Sequence, residues 1–281
     1  PTRIVEIQDT DKVRLYQTQG ERDAYTCLSH CWGSNPIIQT TSSTLSTFKN
    51  SIPWSQLSRT FRDAIDLTYR LGLKYIWIDS LCIIQDNIDD WRHEGNKMAS
   101  TYSNSFLTIA ASKARDGNEG CYSTCPPELC KNLPLLQRGW VLQERLLSPR
   151  VVHFGPRELY WECAQRNLCE CSELSLILNL HGGGVGTKDL KRELSRSGLT
   201  LKDQWYSIVT EYSKLHLTFE KDIFPALQGL AVSTQRHTLF AYHAGLWEDT
   251  LISDLMWIPK RQGRRPRTWR APTWSWASVV G

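Results

Sequence analysis

The spacing of apolar side chains changes twice in the first 80 residues. Residues 3–17 alternate apolar and polar positions around a polar centre, which predicts a β-hairpin, and residues 24–30 predict a further strand. From residue 57 to residue 71 apolar side chains recur every three or four positions. This spacing predicts an amphipathic helix, with Ser55 or Ser58 as its cap.

Strands and helices continue to alternate along the next 40 residues. The apolar run at 74–78 predicts a buried strand, Asp89 or Asp90 is expected to cap the following helix, and residues 106–111 predict another strand. Strand, helix, strand, helix, strand is the order of an α/β protein. The sequence therefore predicts a mostly parallel sheet with helices on its faces.

The pattern divides the chain into three parts. A helix at 140–147 and a hairpin at 151–161 complete an α/β core with an N-terminal hairpin, which we place at residues 1–163. Residues 164–200 are polar and rich in glycine, which is typical of a connection. Residues 201–281 predict helices and a tryptophan-rich segment, and we expect them to pack on the core as one unit.

Tryptophan is abundant, with twelve residues in the chain. Its large apolar area favours aromatic packing between elements. Trp274 and Trp276 lie two positions apart in a run that predicts extended backbone, so we expect both to share a face and to join the helical part to the sheet. The alternative is that they form an aromatic wall for a ligand.

The net charge of +4 is concentrated in one segment, because residues 260–270 hold six cationic side chains and no acid. Two interpretations stay open, a solvated loop or a contact with an anion. One basic loop does not make a basic domain, so we expect no nucleic-acid partner. The chain has no signal peptide and no apolar run of membrane-spanning length, so we expect a cytoplasmic protein without a membrane partner.

Cysteine usage points to a reducing compartment. The count of nine is odd, and several cysteines lie in apolar runs, where a free thiol behaves as a small apolar side chain. Two triplets have metal-ligating residue types, but their spacings do not form two CxxC pairs. We therefore expect no metal site. The triplets are Cys121, Cys125 and Cys130, and Cys163, Cys169 and Cys171.

Three polar clusters lie beside the ends of predicted elements, at residues 29–33, 79–86 and 138–145. The first two follow predicted parallel strands, and ligands bind at the carboxyl edge of such sheets. Polar groups so close to apolar runs need a partner or a ligand. The candidate site residues are Ser29, His30, Trp32, Gly33, Asp79, Cys82, Gln85, Arg138, Trp140, Gln143 and Glu144.

Two carboxylates in these clusters each have two interpretations. Glu144 can stabilise positive charge on a sugar during glycosidic cleavage, or it can pair with Arg138 or Arg145. Asp79 can orient a ribose hydroxyl, or it can cap the turn after its strand.

Two further residues are of types that serve in nucleophilic catalysis, but their positions in the sequence argue against that role. His30 follows Ser29 directly, and neighbours on a strand point to opposite faces, so the two are badly placed for a nucleophile and its base. Cys82 lies between apolar residues, which favours a buried and inert thiol.

Four sequence blocks, three of which contain these polar clusters, together resemble the fungal heterokaryon-incompatibility (HET) domain family. The matching blocks are YTCLSHCWG at 25–33, WIDSLCIIQD at 77–86, RGWVLQERLL at 138–147 and PTWSWAS at 272–278. TFRDA at 60–64 and MASTY at 98–102 match the helices between them. The resemblance implies a fungal, intracellular protein. Many members of the family trigger regulated cell death when incompatible strains fuse, and others are encoded beside secondary-metabolite genes.

The family is in turn distantly similar to TIR domains, which have a flavodoxin-like parallel sheet. Some TIR domains cleave nicotinamide from NAD with one glutamate in a Trp-Cys-x-x-Glu pattern. Trp140 and Glu144 are similar to that pattern, although the spacing is one residue longer and no cysteine lies beside Trp140. The resemblance thus implies NAD as a substrate rather than a bound cofactor, Glu144 as the reacting carboxylate, and Trp32 or Trp140 as a stacking surface.

Two other classes of function remain open. The chain can be a non-catalytic signalling module that forms homo-oligomers or assembles with a partner domain. It can also be an enzyme of fungal secondary metabolism, a cyclase, hydrolase or isomerase that acts on a small molecule.

Overall fold

A mixed β-sheet lies at the centre of the molecule. The computed structural model describes residues 1–122, 133–170, 190–195, 198–260 and 262–280. Within these residues the main sheet has eight strands: β1 (Arg3–Asp9), β2 (Lys12–Gln17), β3 (Thr26–Ser29), β4 (Tyr75–Trp77), β5 (Leu107–Ala110), β6 (Arg150–Phe154), β7 (Leu159–Cys163) and β8 (Asn167–Cys169). Two short strands, β9 (Tyr242–His243) and β10 (Leu246–Trp247), form a separate pair.

The main sheet is parallel at its centre and antiparallel at both edges. Its order is β2-β1-β4-β3-β5-β6-β7-β8. Strands β4, β3, β5 and β6 are parallel, whereas β1 and β2 on one side and β7 and β8 on the other pair antiparallel. The prediction of an α/β protein is confirmed, and the sheet is mixed, with three parallel pairings at its centre and four antiparallel pairings towards its edges. Taken in chain order, the four parallel strands lie side by side as second, first, third and fourth.

Helices cover the sheet and build the C-terminal part. They are α1 (Leu45–Asn50), α2 (Arg59–Arg70), α3 (Asp79–Cys82), α4 (Ile88–Ser103), α5 (Gly139–Leu147), α6 (Leu190–Leu194), α7 (Leu201–Tyr212), α8 (Pro225–Thr238) and α9 (Leu251–Asp254). Short 3-10 turns lie at Trp54–Gln56, Pro134–Gln137, Glu220–Ile223, Glu248–Thr250 and Trp276–Ser278. No helix in the described ranges is long and apolar enough to cross a bilayer.

Helix α2 forms where the apolar spacing predicted it. Its buried side chains, Phe61, Ala64 and Ile65 among them, lie on one face. Ser58 is the cap, because its hydroxyl accepts a hydrogen bond from the Phe61 N–H at 3.3 Å. Gly72 follows the helix with a φ of +75°, a conformation that favours glycine.

The predicted cap of α4 is wrong. Asn87, not Asp89 or Asp90, caps this helix, since its side-chain oxygen accepts from the N–H groups of Asp89 and Asp90 at 3.0 Å each. The Asp90 carboxylate is engaged elsewhere. It accepts from the Arg3 guanidinium at 2.5 Å, which ties α4 to strand β1.

The two faces of the sheet carry different helices. Thr26 of β3 hydrogen-bonds Thr68 of α2 at 2.7 Å on one face. Cys27, the next residue, lies against Thr101 of α4 on the other face. Trp77 of β4 packs edge-on to Tyr102 of α4 at 5.6 Å on the same side as Cys27. The parallel strands are therefore covered on both faces, as buried parallel strands require.

The C-terminal helices form a second apolar cluster. Trp205 and Tyr212 of α7 pack with Leu227 of α8 and with β10. The prediction that both tryptophans share a face and join the helical part to the sheet was wrong. Trp274 is exposed, whereas Trp276 packs on the C-terminal cluster, edge-on to Tyr212 at 6.1 Å. A 3-10 turn begins at Trp276, so the two side chains do not share the face of an extended strand.

The segment predicted as a connection contains two described elements. Residues 167–169 form β8 and residues 190–194 form α6. The remainder at 171–189 and 196–197 lies outside the described residues, as do Cys125, Cys130 and Cys171 of the candidate zinc triplets. Among the residues that the structure describes, no cluster of histidine, cysteine or acidic side chains fits a metal ion.

Candidate functional site

Polar side chains gather where β3 and β4 end. Ser29 is the last residue of β3, and His30 to Gly33 continue into the next loop. Asp79 follows β4 and opens α3. Because β3 and β4 are parallel neighbours, both strands bring these residues to the same edge of the sheet.

Helix α5 carries Glu144 to the same edge of the sheet, next to the last residue of β3. Its carboxylate accepts a hydrogen bond from the Ser29 hydroxyl at 2.5 Å, and both side chains are buried. Burial raises the pKa of Glu144 to about 7, and the negative charge of Asp79 adds to this, whereas Ser29 and Arg138 lower it. Glu144 can therefore hold or release a proton near neutral pH.

Arg145 does not pair with Glu144. Its guanidinium donates two hydrogen bonds to Glu162 of β7, each at 3.0 Å, and His153 contacts the same carboxylate at 2.8 Å. Arg138 donates to the His30 carbonyl oxygen at 2.9 Å. The interpretation of Glu144 as an ion-pair partner of Arg145 was therefore wrong, since successive residues of a helix point in different directions.

Asp79 makes hydrogen bonds within the protein and still reaches solvent. One carboxylate oxygen accepts from the N–H of the next residue, Ser80, at 2.7 Å, and no side-chain cap bond forms at the start of α3. The other accepts from the Trp32 indole N–H at 2.8 Å. Because 28% of the Asp79 side chain is exposed, its carboxylate is accessible to a ligand.

His30 lies behind Asp79. Its ring packs edge-on to Phe61 of α2 at 5.0 Å, and its Nε2 atom lies 3.8 Å from the Asp79 carboxylate without a hydrogen bond. Burial lowers the pKa of the imidazole, so the ring is neutral. Ser29 contacts α5 and His30 contacts α2, so the two side chains lie on opposite faces of the sheet.

Comparison with known proteins now adds the family. The family model of the heterokaryon incompatibility protein (HET) matches residues 25–129. Residues 25–129 belong to the HET family. This HET domain contains β3, α2, β4, α4 and β5, and hence both strand ends that carry Ser29 and Asp79.

A relative of known name supports the match. The chain is 29% identical over 164 residues to the vegetative incompatibility protein HET-E-1 of Podospora anserina. The matched region covers 56% of this chain but only 12% of that protein, so the chain spans a small part of the relative's length. No solved structure matches the chain.

Four of the predicted site residues make contacts inside the protein. Cys82 is buried beneath the HET domain's edge, and burial raises the pKa of its thiol to about 12, which keeps it protonated. The Gln85 amide donates to the Asp79 and Ile83 carbonyl oxygens at 3.1 Å each. Gln143 accepts from the Gly229 N–H at 3.1 Å, and Trp140 donates to Asp222 at 3.2 Å.

Gly33 has a steric role in the loop after β3 of the HET domain. Its φ is +71°, and a Cβ atom at this position would lie 2.3 Å from the Cβ of Asp116. Any other residue would therefore push this loop away from residues 115–116. Gly33 shapes the edge of the candidate site without offering a side chain.

Sequence reasoning missed Tyr102. Its hydroxyl donates to the Leu28 carbonyl oxygen at 3.3 Å, and it also lowers the pKa of the Glu144 carboxyl. The only signal in the sequence was its place on the buried face of α4, which an apolar residue would occupy equally well. Six predicted residues thus meet at the edge of the HET domain: Ser29, His30, Trp32, Asp79, Arg138 and Glu144.

Proposed function

We propose that this chain acts in heterokaryon incompatibility and that the edge of its sheet hydrolyses the N-glycosidic bond of an NAD-type nucleotide. The family match and the name of the related vegetative incompatibility protein support the biological role. The resemblance of HET domains to TIR domains supports the reaction.

The observation that carries the proposal is the environment of Glu144. A carboxyl group with a pKa of about 7 lies at the carboxyl edge of β3, one hydrogen bond from Ser29. Carboxyl groups whose pKa is shifted to the working pH are typical of catalytic sites. The partly exposed Asp79 and Trp32, which hydrogen-bond each other, lie at the same edge of the sheet, and they offer an acceptor for a hydroxyl group and an aromatic surface for a base.

The reaction assigns one role to each of these groups. The bond between the ribose C1′ and the nicotinamide nitrogen breaks, and nicotinamide leaves with the bonding electrons. Ionised Glu144 stabilises the positive charge that develops on the ribose. Water then bonds to C1′ and loses its proton, which Glu144 can accept. The Asp79 carboxylate accepts a hydrogen bond from a ribose hydroxyl, and the Arg138 guanidinium attracts the phosphates.

The strand order supports the likeness to a flavodoxin-type sheet. In that sheet the strands lie in the order second, first, third, fourth and fifth, and ligands bind where the order reverses. The parallel strands β4, β3, β5 and β6 follow the first four places of this order. Ser29 ends the strand at which the order reverses.

The test is release of nicotinamide from NAD by the purified chain at high protein concentration. We expect the wild type to release nicotinamide and Glu144→Gln to be about 100- to 1000-fold slower, the loss that follows removal of one charge-stabilising group. Glu211→Gln, which changes a partly exposed carboxylate on α7 far along the chain from the candidate site residues, serves as the matched control. Equal rates for the wild type and Glu144→Gln would reject the role of Glu144.

A non-catalytic signalling module is the second candidate, and one observation favours it. Glu144, Trp140 and Gln143 all contact other parts of the chain, as expected of residues that hold a scaffold together. A Glu144→Gln protein that keeps its fold and still causes incompatibility in cells would support this function over hydrolysis.

A further inference from the structure

Helix α9 has its acid inside and its apolar side chains outside. Asp254 is buried and accepts three hydrogen bonds, from the Tyr206 hydroxyl at 2.5 Å, the Thr250 hydroxyl at 2.9 Å and the Trp247 N–H at 3.0 Å. These contacts fix the rotation of the helix about its axis. The opposite side of the helix therefore faces solvent.

That outer side is apolar. Leu255 and Met256 continue the turn of α9 through backbone hydrogen bonds to Leu251 and Ser253. Ile252, Leu255 and Met256 are therefore spaced as neighbours on one helix face. Ile252 is 84% exposed and Met256 is 70% exposed. A surface helix normally has the reverse arrangement, so this face needs an explanation.

The loop that follows α9 presents further apolar side chains. The Trp257 indole donates to the Trp274 carbonyl oxygen at 2.8 Å, which joins the two ends of this loop. We call its described residues, 258–260 and 262–273, the cationic loop. Ile258 and Trp269 protrude from it with 85% and 77% of their surface exposed.

The exposed charges of the cationic loop all have one sign. No acidic residue occurs between positions 255 and 280. Within the described part of the chain, none of its four exposed cations forms a salt bridge. These cations are Lys260, Arg264, Arg265 and Arg267.

Arg270 has a different role, because its guanidinium donates to the Ala277 and Val279 carbonyl oxygens at 2.7 and 2.9 Å. It anchors the base of the loop. The backbone groups of Arg264 and Val280 add two hydrogen bonds of 2.8 Å. The four outward cations are thus carried by a loop that the protein holds in place.

We infer that the outer face of α9 and the cationic loop together form a peripheral docking surface for a bilayer that contains anionic lipids. Single protruding isoleucine, methionine and tryptophan side chains insert among lipid headgroups without needing a complementary shape, and arginines beside them attract anionic headgroups. An acidic protein would need a matching apolar groove. The expectation of no membrane partner rested on the lack of a spanning segment, and surface docking requires none.

Co-sedimentation with vesicles tests this inference. The chain is mixed with vesicles of phosphatidylcholine and phosphatidylserine, or of phosphatidylcholine alone, at low and high salt. We expect it to pellet with the anionic vesicles only, and less at high salt because salt screens the charges. Arg264→Ser with Arg265→Ser should weaken binding roughly 20- to 30-fold, since each cation near an anionic surface contributes about fivefold.

Matched variants separate the surface from general charge and apolarity. Lys12→Ser with Arg22→Ser removes two exposed cations elsewhere, and Ile88→Ser removes an exposed isoleucine of α4. We expect neither to change binding, whereas Ile258→Ser should weaken it. All these positions are exposed, so the fold should persist, which near-ultraviolet circular dichroism checks.

Three outcomes would overturn the inference. One is no pelleting with anionic vesicles, and another is equal pelleting with neutral vesicles. The third is a chain that does not pellet with vesicles but forms a dimer, and whose dimer dissociates in the Ile258→Ser variant. That result would assign the surface to a second copy of the chain.

Discussion

Glu144 illustrates how one residue acquires unusual chemistry from its surroundings. Its ionised form loses hydration in the core, and the hydrogen bond from Ser29 only partly replaces it. The carboxyl group is therefore about half protonated at neutral pH. The same burial that raises its pKa makes its charge unfavourable for the folded state.

The free energy of unfolding should depend on whether Glu144 is ionised. The pKa of Glu144 is raised from 4.5 to about 7, so the folded state keeps a proton that the unfolded state releases. Below pH 4.5 the group has no effect, between these values stability falls as pH rises, and above pH 7 the loss is constant. The expected loss is roughly 3 kcal/mol, because each pH unit between the two pKa values is worth about 1.4 kcal/mol.

Urea unfolding of the wild type and of Glu144→Gln at several pH values measures this effect. The difference in the free energy of unfolding, wild type minus variant, should decrease through this range and then stay level. Glu211→Gln should show no comparable trend. A difference that is independent of pH would mean that Glu144 has an ordinary pKa.

Sequence reasoning at the residue scale succeeded where a local rule applied. Alternation along β3 predicted that Ser29 and His30 point apart, which their contacts with Glu144 and Phe61 confirm. It could not choose partners. Ser29 and Glu144 are 115 residues apart, and whether Glu144 or its neighbour Arg145 finds a charged partner depends on the angle at which α5 meets the sheet.

Helix α5 joins three parts of the molecule at the scale of elements. Gln143 contacts Gly229 of α8, Glu144 contacts Ser29 of β3, and Arg145 contacts Glu162 of β7. Successive helical residues project about 100° apart, so three neighbours reach three elements. The position of α5 therefore determines the geometry of the candidate site.

The contact of α8 with α4 and α5 depends on Gly229. A Cβ atom there would lie 2.7 Å from Ala99 and 2.9 Å from the Gln143 side chain. We expect Gly229→Ala to reduce the free energy of unfolding by about 1–3 kcal/mol through overpacking, although alanine favours helices. Gly95→Ala in α4 is the control, because nothing lies within 4 Å of its Cβ.

The control should move in the opposite direction. Gly95→Ala should raise the free energy of unfolding by up to about 1 kcal/mol, the difference in helix propensity. Chemical denaturation of both variants gives the comparison. If both variants gain stability, α8 does not pack against α4 and α5 as closely as the contacts indicate.

Element types followed from periodicity, but element ends depended on competition between side chains. The apolar spacing predicted α2 and its Ser58 cap. At α4 three polar residues compete for one cap, and Asn87 takes it because Arg3 holds the Asp90 carboxylate. The strand at Asn167–Cys169 has no apolar alternation and forms only because β7 offers a free edge.

The sheet and the C-terminal helices share side chains at the scale of the whole molecule. Trp140 and Leu147 of α5 pack against both apolar clusters, and Leu142 belongs to the C-terminal one. We expect the chain to unfold in a single transition. Tryptophan fluorescence and far-ultraviolet circular dichroism should give the same midpoint, and two separate midpoints would contradict a shared core.

The α/β class was predictable from the order of helical and strand periods, whereas the strand order was not. Strands β7 and β8 extend the sheet on one edge and β1 and β2 on the other, through pairings that depend on which edges remain open after the parallel strands assemble. Such long-range pairing leaves little trace in local sequence.

The pH dependence of nicotinamide release is the most direct test of the proposed hydrolysis. NAD is incubated with the purified chain across neutral pH, and kcat/KM for release is measured for the wild type and Glu144→Gln. We expect the wild-type value to rise with pH around a midpoint of about 7, as Glu144 becomes ionised, and then to stay level. No release at any pH, or an unchanged profile in Glu144→Gln, would contradict the proposal.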